Sequence, residues 1–194
     1  PHRETAHESQ KTHQIDVLLS PVRDTEAFAS VLGKWLEHDK PRQDARNRFA
    51  DTFGRQRSYP MDRIIAAANM FDILPGDAAP AAAEIAPEIL EAKRQCRDIF
   101  TVLPASLERE SMLNALGRVG KSSLKHKARH RAKPIMAALG QYFPDLVTAI
   151  DEAVNCRNYF VHGGPSAFNY SDNFGTVVFL TDTLEFVFGA SDLI

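Results

Sequence analysis

Apolar positions recur at helical spacing along almost the whole chain. Phe28, Val31, Leu32, Trp35 and Leu36 fall at i, i+3, i+4, i+7 and i+8, a single stripe that predicts an amphipathic helix. A second helical segment is predicted over about 42–53. A third is marked at its start by Ser58 as a cap and Pro60 as a first-turn proline, and carries Ile64, Ile65, Ala68, Phe71 and Leu74 until Pro75-Gly76 stops it. The stretch 75–87, broken by Pro75, Pro80 and Pro87, reads as a long surface loop. A fourth helix follows over about 88–103, closed by Pro104, and a fifth over about 107–116, closed by Gly117 and Gly120. The sixth is basic, capped by Ser122 or Ser123, with Pro134 as a kink or break inside it. Pro144-Asp145 opens a seventh that runs to Val161 and stops at Gly163-Gly164. Periodicity leaves 174–188, rich in Val, Phe and Thr, open between helix and strand; helix is favoured because no other segment offers a strand to pair with it. The expected class is all-α, an antiparallel helical bundle of about seven to eight helices.

Composition narrows the setting. With 194 residues, 44% hydrophobic and 25% charged, the chain is long and apolar enough to bury a core without disulfides or metal staples. Cys96 and Cys156 form neither a scaffold nor a CxxC pair, which favours a reducing compartment such as the cytoplasm. Asp182 and Glu185 interrupt the apolar C-terminal segment, so no membrane span or membrane partner is expected, and no charged-then-apolar leader is recognisable. Because residue 1 is proline, the chain reads as a piece of a longer protein. Residues 1–22 are then expected to be a linker or the tail of a missing upstream domain, 23–79 the helical N-terminal part of the bundle, and 80–194 its core. Residues 1–14 are polar, and 15–22 read as a short extended piece ended by Pro21.

The net charge of −2 hides an asymmetry. No acidic residue lies between Glu110 and Asp145, where Arg118, Lys121, Lys125, Lys127, Arg129, Arg131 and Lys133 accumulate. Such a stretch suits a phosphate-bearing partner, although a solvated helix face has the same composition. Lys125, Arg129 and Lys133 recur at i, i+4 and i+8 as one stripe, with Arg131 elsewhere on the helix.

The seventh segment, DLVTAIDEAVNCRNYFVHGG, carries the chemistry. On a helical wheel Asp151, Asn155, Asn158 and His162 share one polar stripe, while Leu146, Ile150, Ala153, Val154, Phe160 and Val161 fill the opposite arc. Arg157 falls inside that apolar arc, where a guanidinium must snorkel outward or be held by a partner. A histidine ahead of a Gly-Gly stop also suits a plain helix cap.

Arg157-Asn158-Tyr159-Phe160-Val161-His162 resembles the RNxxxH form of the motif of HEPN domains, all-α domains of which many are metal-independent ribonucleases. EAVNCRNYFVHGG with its short loop and last apolar helix is similar to the Apea-like HEPN group of prokaryotic defence proteins, as is the preceding SSLKHKARHRAKPI; the close resemblance covers about 106–190. It implies metal-independent cleavage of RNA by attack of the 2′-hydroxyl, leaving a 2′,3′-cyclic phosphate, with no cofactor. Arg157 would bind phosphate, Asn158 would orient the histidine or bind ribose or phosphate, and His162, whose imidazole type suits proton transfer near neutrality, would serve acid–base catalysis. Lys125, Arg129, Arg131 and Lys133 would bind RNA, with Tyr159 and Tyr142 as stacking platforms or structural residues.

Residues five apart on a helix differ by about 140° in direction, so Arg157 and His162 do not point the same way. Either His162 lies past the last regular turn, or the site is shared across a homodimer formed through the motif helix, as the resemblance implies. A regulatory upstream domain or antitoxin-like partner is expected to restrain such an activity. The competing expectations are an inactive HEPN-like module for dimerisation or RNA or nucleotide binding, and a plain helical scaffold.

Other signals are weaker. His126 and His130 stand at the i, i+4 spacing of a metal pair but among repelling cations, so no metal is expected. Gly117-x-x-Gly120-Lys121-Ser122 resembles a phosphate loop only superficially, with a misplaced first glycine and no preceding strand. His2, His7 and His13 are too scattered for a site, and Cys156 reads as a small buried filler.

Overall fold

The computed structural model describes residues 20–55, 58–81, 85–163 and 168–193. The expected tail lies, up to residue 19, outside the described residues; so does Gly164 of the helix stop. Eight α-helices account for nearly everything described: α1 (Thr25–Glu37), α2 (Asp39–Phe53), α3 (Met61–Asp72), α4 (Pro87–Thr101), α5 (Leu107–Arg118), α6 (Leu124–Leu139), α7 (Leu146–His162) and α8 (Phe174–Leu193). Short 3₁₀ turns occupy Gly76–Ala78 and Tyr170–Asp172, and no strand is present among the described residues. The protein is all-α.

Local signals set most boundaries. Ser106 accepts the amide proton of Arg109 and Ser123 that of His126, so each caps the helix that follows it. Of the two serines before α6, only Ser123 is the cap. Ser58 does not cap α3. Pro60 stands immediately before its first turn instead. Pro134 does not break α6, which runs on through it to Leu139.

The helix that periodicity left open, α8, lies at the centre and packs against α3, α6 and α7, with α1 and α2 on further sides. Buried on several faces at once, it has no clean apolar stripe to read, which is why its pattern is ambiguous. Leu180, Leu184, Val187 and Phe188 meet Ile64, Ala68 and Phe71 of α3, Ala132 and Ile135 of α6, and Ile150 and Ala153 of α7 in one core. Alanines at these contacts let the helix axes come close. The core crosses residue 80 without interruption, because α2 and α3 share it with the later helices.

α8 is long and apolar enough to span a bilayer by length and composition alone. Its interior charges show a different use. Glu185 receives Arg63 Nε and Nη2 at 2.8 Å each, and Asp192 receives Arg42 Nη1 and Arg46 Nε at 2.7 Å each. These pairs fasten α2 and α3 to the central helix. Arg46 also stacks 3.6 Å over the Trp35 ring, which ties α1 to α2. By contrast α4 and α5 contribute no buried residue and pack chiefly on each other as a hairpin.

Candidate active site and basic surface

α7 brings its last turn to the surface. Gly163 adopts a left-handed conformation, φ 63°, and its amide donates to Tyr159 O at 2.9 Å, closing the helix with a geometry that favours glycine. The helix stays regular through His162, whose side chain is exposed. That removes one of the two remedies for the divergence of Arg157 and His162, since the histidine does not lie past the last turn. Within one chain the two side chains leave the helix about 140° apart.

Arg157 is half-buried, as its place on the apolar arc requires, and it is held by amides rather than by a carboxylate. Nη2 donates to Asn69 Oδ1 and Nη1 to Asn158 Oδ1, both at 3.1 Å, while Nε is shielded from water with no hydrogen-bond partner among the described residues. The guanidinium is thus fixed in direction, and no described acid neutralises it. Asn158 itself is exposed and serves Arg157 rather than the imidazole.

Asn69 escaped sequence reasoning. The available signal was a lone amide in the small and apolar run Ala66-Ala67-Ala68-Asn69-Met70-Phe71 of α3, a half-buried polar group that needs a partner. Glu152 was missed as well. It accepts hydrogen bonds from the Tyr170 hydroxyl and from Asn155 Nδ2, the latter at 3.1 Å, which ties the turn after the motif back to α7.

The expected RNA-binding residues separate into three groups. Arg131 is buried: Nε reaches Ser191 Oγ at 3.0 Å, and Nη2 reaches Ser191 O at 2.7 Å and Asp192 Oδ1 at 3.4 Å. Its expected role on the basic surface is therefore corrected. At i+3 from Ala128 and beside Ala132 it points into the bundle, and it helps to fasten α8. Burial and the neighbouring Arg42 push its pKa below the ordinary arginine value. Tyr159 is also committed to the fold, half-buried with its ring 5.2 Å from Phe160 and 5.4 Å from Tyr170, and its hydroxyl 3.2 Å from Ser171 Oγ.

Arg129 is exposed but pairs through Nε and Nη2 with Asp151 of α7, which holds that carboxyl below the usual range. Lys125 is half-buried near the same carboxylate. Lys133 is exposed with no ion pair among the described residues. Tyr142 is 69% exposed on the rim of a separate apolar groove of about 370 Å³ that also includes Phe143 and Phe186.

No group of three or more metal-ligating side chains occurs among the described residues. Cys156 is buried, and burial, reinforced by Glu152, pushes its thiol up to about 12. The site therefore offers a fixed uncompensated guanidinium, an exposed imidazole at a helix end, and a cationic helix alongside.

Searches of curated proteins and of solved structures return no match. Over residues 65–194, from the middle of α3 to the end of α8, the sequence matches the family described as Apea-like HEPN. The match spans well over half of the chain and contains the motif helix, the basic helix and Asn69. The chain belongs to the Apea-like HEPN family.

Proposed function

We propose that the chain is a metal-independent endoribonuclease domain acting as a homodimer, in prokaryotic defence or toxin-type growth arrest. The observation that carries this reading is the Arg157 guanidinium. It is half-buried, aimed by two amide oxygens and left without a counter-ion among the described residues, so an anionic ligand is what completes it. Family membership supports a ribonuclease-type role, and the α7 geometry supports a second copy, because one regular helix cannot turn both side chains to one phosphate.

In this mechanism the motif ends of two α7 helices meet near a two-fold axis. One His162 takes the proton of the ribose 2′-hydroxyl, and the 2′-oxygen attacks the adjacent phosphorus. The bond from phosphorus to the 5′-oxygen breaks, and the other His162 protonates that oxygen. Arg157 stabilises the negative charge that grows on the non-bridging oxygens. The products are a 2′,3′-cyclic phosphate and a 5′-hydroxyl. Lys125 and Lys133 supply sequence-tolerant attraction for the RNA. An upstream region or antitoxin-like partner restrains the activity. In cells the 194-residue chain alone and the chain together with that restraint are then expected to differ in toxicity, whereas equal toxicity counts against restraint.

Dimer dependence tests the shared site. Specific activity should fall when the protein is diluted below the concentration at which sedimentation shows monomers. Undiminished activity of a monomer contradicts the mechanism. A second reading, a non-cleaving module that binds RNA or a nucleotide, is favoured by one observation: no described group hydrogen-bonds the His162 imidazole to orient it. Binding of RNA without cleavage by a dimeric protein selects it.

A further inference from the structure

Beyond the motif, α6 presents a second face. His126, Arg129, His130 and Lys133 fall at i, i+3, i+4 and i+7, and with Lys121 and Ser122 of the α5–α6 loop they line a concavity of about 410 Å³. Gly120 belongs to the same wall. Its φ of 88° is one that glycine favours, and a Cβ there would come within 2.1 Å of Ile85 Cδ1. The loop can therefore turn tightly enough to bring Lys121 and Ser122 against α6.

The charge in this pocket is not fully spent inside the protein. Arg129 gives Nε and Nη2 to Asp151, while Lys121 and Lys133 make no ion pair among the described residues. His130 lines the same pocket and carries a buried Nδ1 with no hydrogen-bond partner among the described residues, an unusual cost. Burial, with the nearby charges of Lys133 and Arg131, holds the His130 imidazole below its usual pKa.

We infer that this pocket is a phosphate-binding site, separate from the Arg157–His162 motif, that takes a phosphate group of an RNA strand or of a free nucleotide. Lys121 and Lys133 supply the uncommitted charge, Ser122 and the imidazoles supply hydrogen bonds, and Arg129 contributes the donor that Asp151 leaves free. Asp151, the pocket's link to α7, lies eleven residues before His162 on the same polar stripe, about 16 Å along the helix axis. A single nucleotide does not span that separation, so on the ribonuclease reading the pocket grips the strand away from the cut. Phosphate binding here does not depend on cleavage.

Calorimetry of the 194-residue chain with inorganic pyrophosphate, in excess chelator, tests the site. Saturable binding is expected, at least about tenfold weaker in Lys121→Ala/Lys133→Ala and retained in Lys121→Arg/Lys133→Arg, since a hydrogen bond to a charged group is worth about that factor. Both positions are at the surface, and circular dichroism checks the fold. Competition identifies the source. A 2′-O-methylated oligonucleotide, which cannot be cut, displaces pyrophosphate if the strand is the ligand, and a nucleoside triphosphate alone displaces it if the free nucleotide is. Either result supports the site. No saturable binding of any of the three probes, or binding that the alanine pair leaves unchanged, overturns it. Because cleavage is not read, failure of the pocket and failure of the ribonuclease mechanism remain distinguishable.

Discussion

Removing one carboxylate, that of Asp192, should loosen the whole C-terminal anchor. Its side chain is 1% exposed and accepts Arg42 Nη1 and Arg46 Nε at 2.7 Å, with Arg131 Nη2 at 3.4 Å. Arg42 and Arg46 have weaker, more exposed alternatives in Asp77 at 3.5 Å and Asp39 at 3.0 Å, but Arg131 makes no other ion pair among the described residues. Asp192→Ala therefore leaves guanidinium charge buried without its counter-ion, a change that costs about 3–5 kcal/mol where one partner of a buried pair is lost. For a chain of this size each kcal/mol moves Tm by about 2–4 °C, so the variant should melt roughly 6–20 °C lower. Thermal unfolding followed by circular dichroism reads the shift. Arg94→Ala, which breaks only the exposed Glu91 and Asp98 pairs on α4, should move Tm by less than about 2 °C. An Asp192→Ala protein that melts with the wild type would refute the view that the buried charge cluster holds α8, and with it the assignment of Arg131 to structure.

Other expectations follow from the same geometry. Asn69→Ala removes a hydrogen bond to the Arg157 guanidinium worth about 1.5–3 kcal/mol, so kcat/KM for RNA cleavage should fall roughly 10- to 150-fold while the melting curve stays cooperative; an unchanged rate shows that Asn69 does not position Arg157. Lys125→Glu/Lys133→Glu should weaken RNA binding and flatten its dependence on salt by about 0.7 in slope for each phosphate no longer neutralised; an unaltered slope makes them plain surface charges. Gly163→Ala must hold φ at 63° with a side chain, which should cost about 1–2 kcal/mol and fray the turn that carries His162, visible as faster amide exchange there. At pH 8 the thiol of Cys156, buried and pushed up to about 12, should resist iodoacetamide, while exposed Cys96 is alkylated; mass spectrometry should find the second adduct only after denaturation.

The helices were legible wherever one face is wet. α1, α3 and α7 show apolar stripes because each keeps one face toward solvent, and the glycine stop after the motif was readable because a left-handed turn favours glycine. α8 was legible only by elimination, since burial on several sides erases the period on which such reading depends. Within the site, Arg157 announced itself as a charge on an apolar arc, but its partner Asn69 lies 88 positions earlier on another helix, and spacing along one segment carries no information about such a contact. Arg131 misled for the same reason. Among the cations of α6 it is the same residue type as the exposed Arg129, and only the arrival of Asp192 and Ser191 from the far end of the chain marks it as interior.

The most direct measurement is incubation of the dimeric protein with total RNA in excess chelator, with analysis of the new ends. The account predicts fragments ending in 2′,3′-cyclic phosphate, with cleavage abolished in both Arg157→Ala and His162→Ala proteins that remain folded and dimeric. RNA that stays intact with the wild type, or fragments produced as readily by either variant, contradicts it.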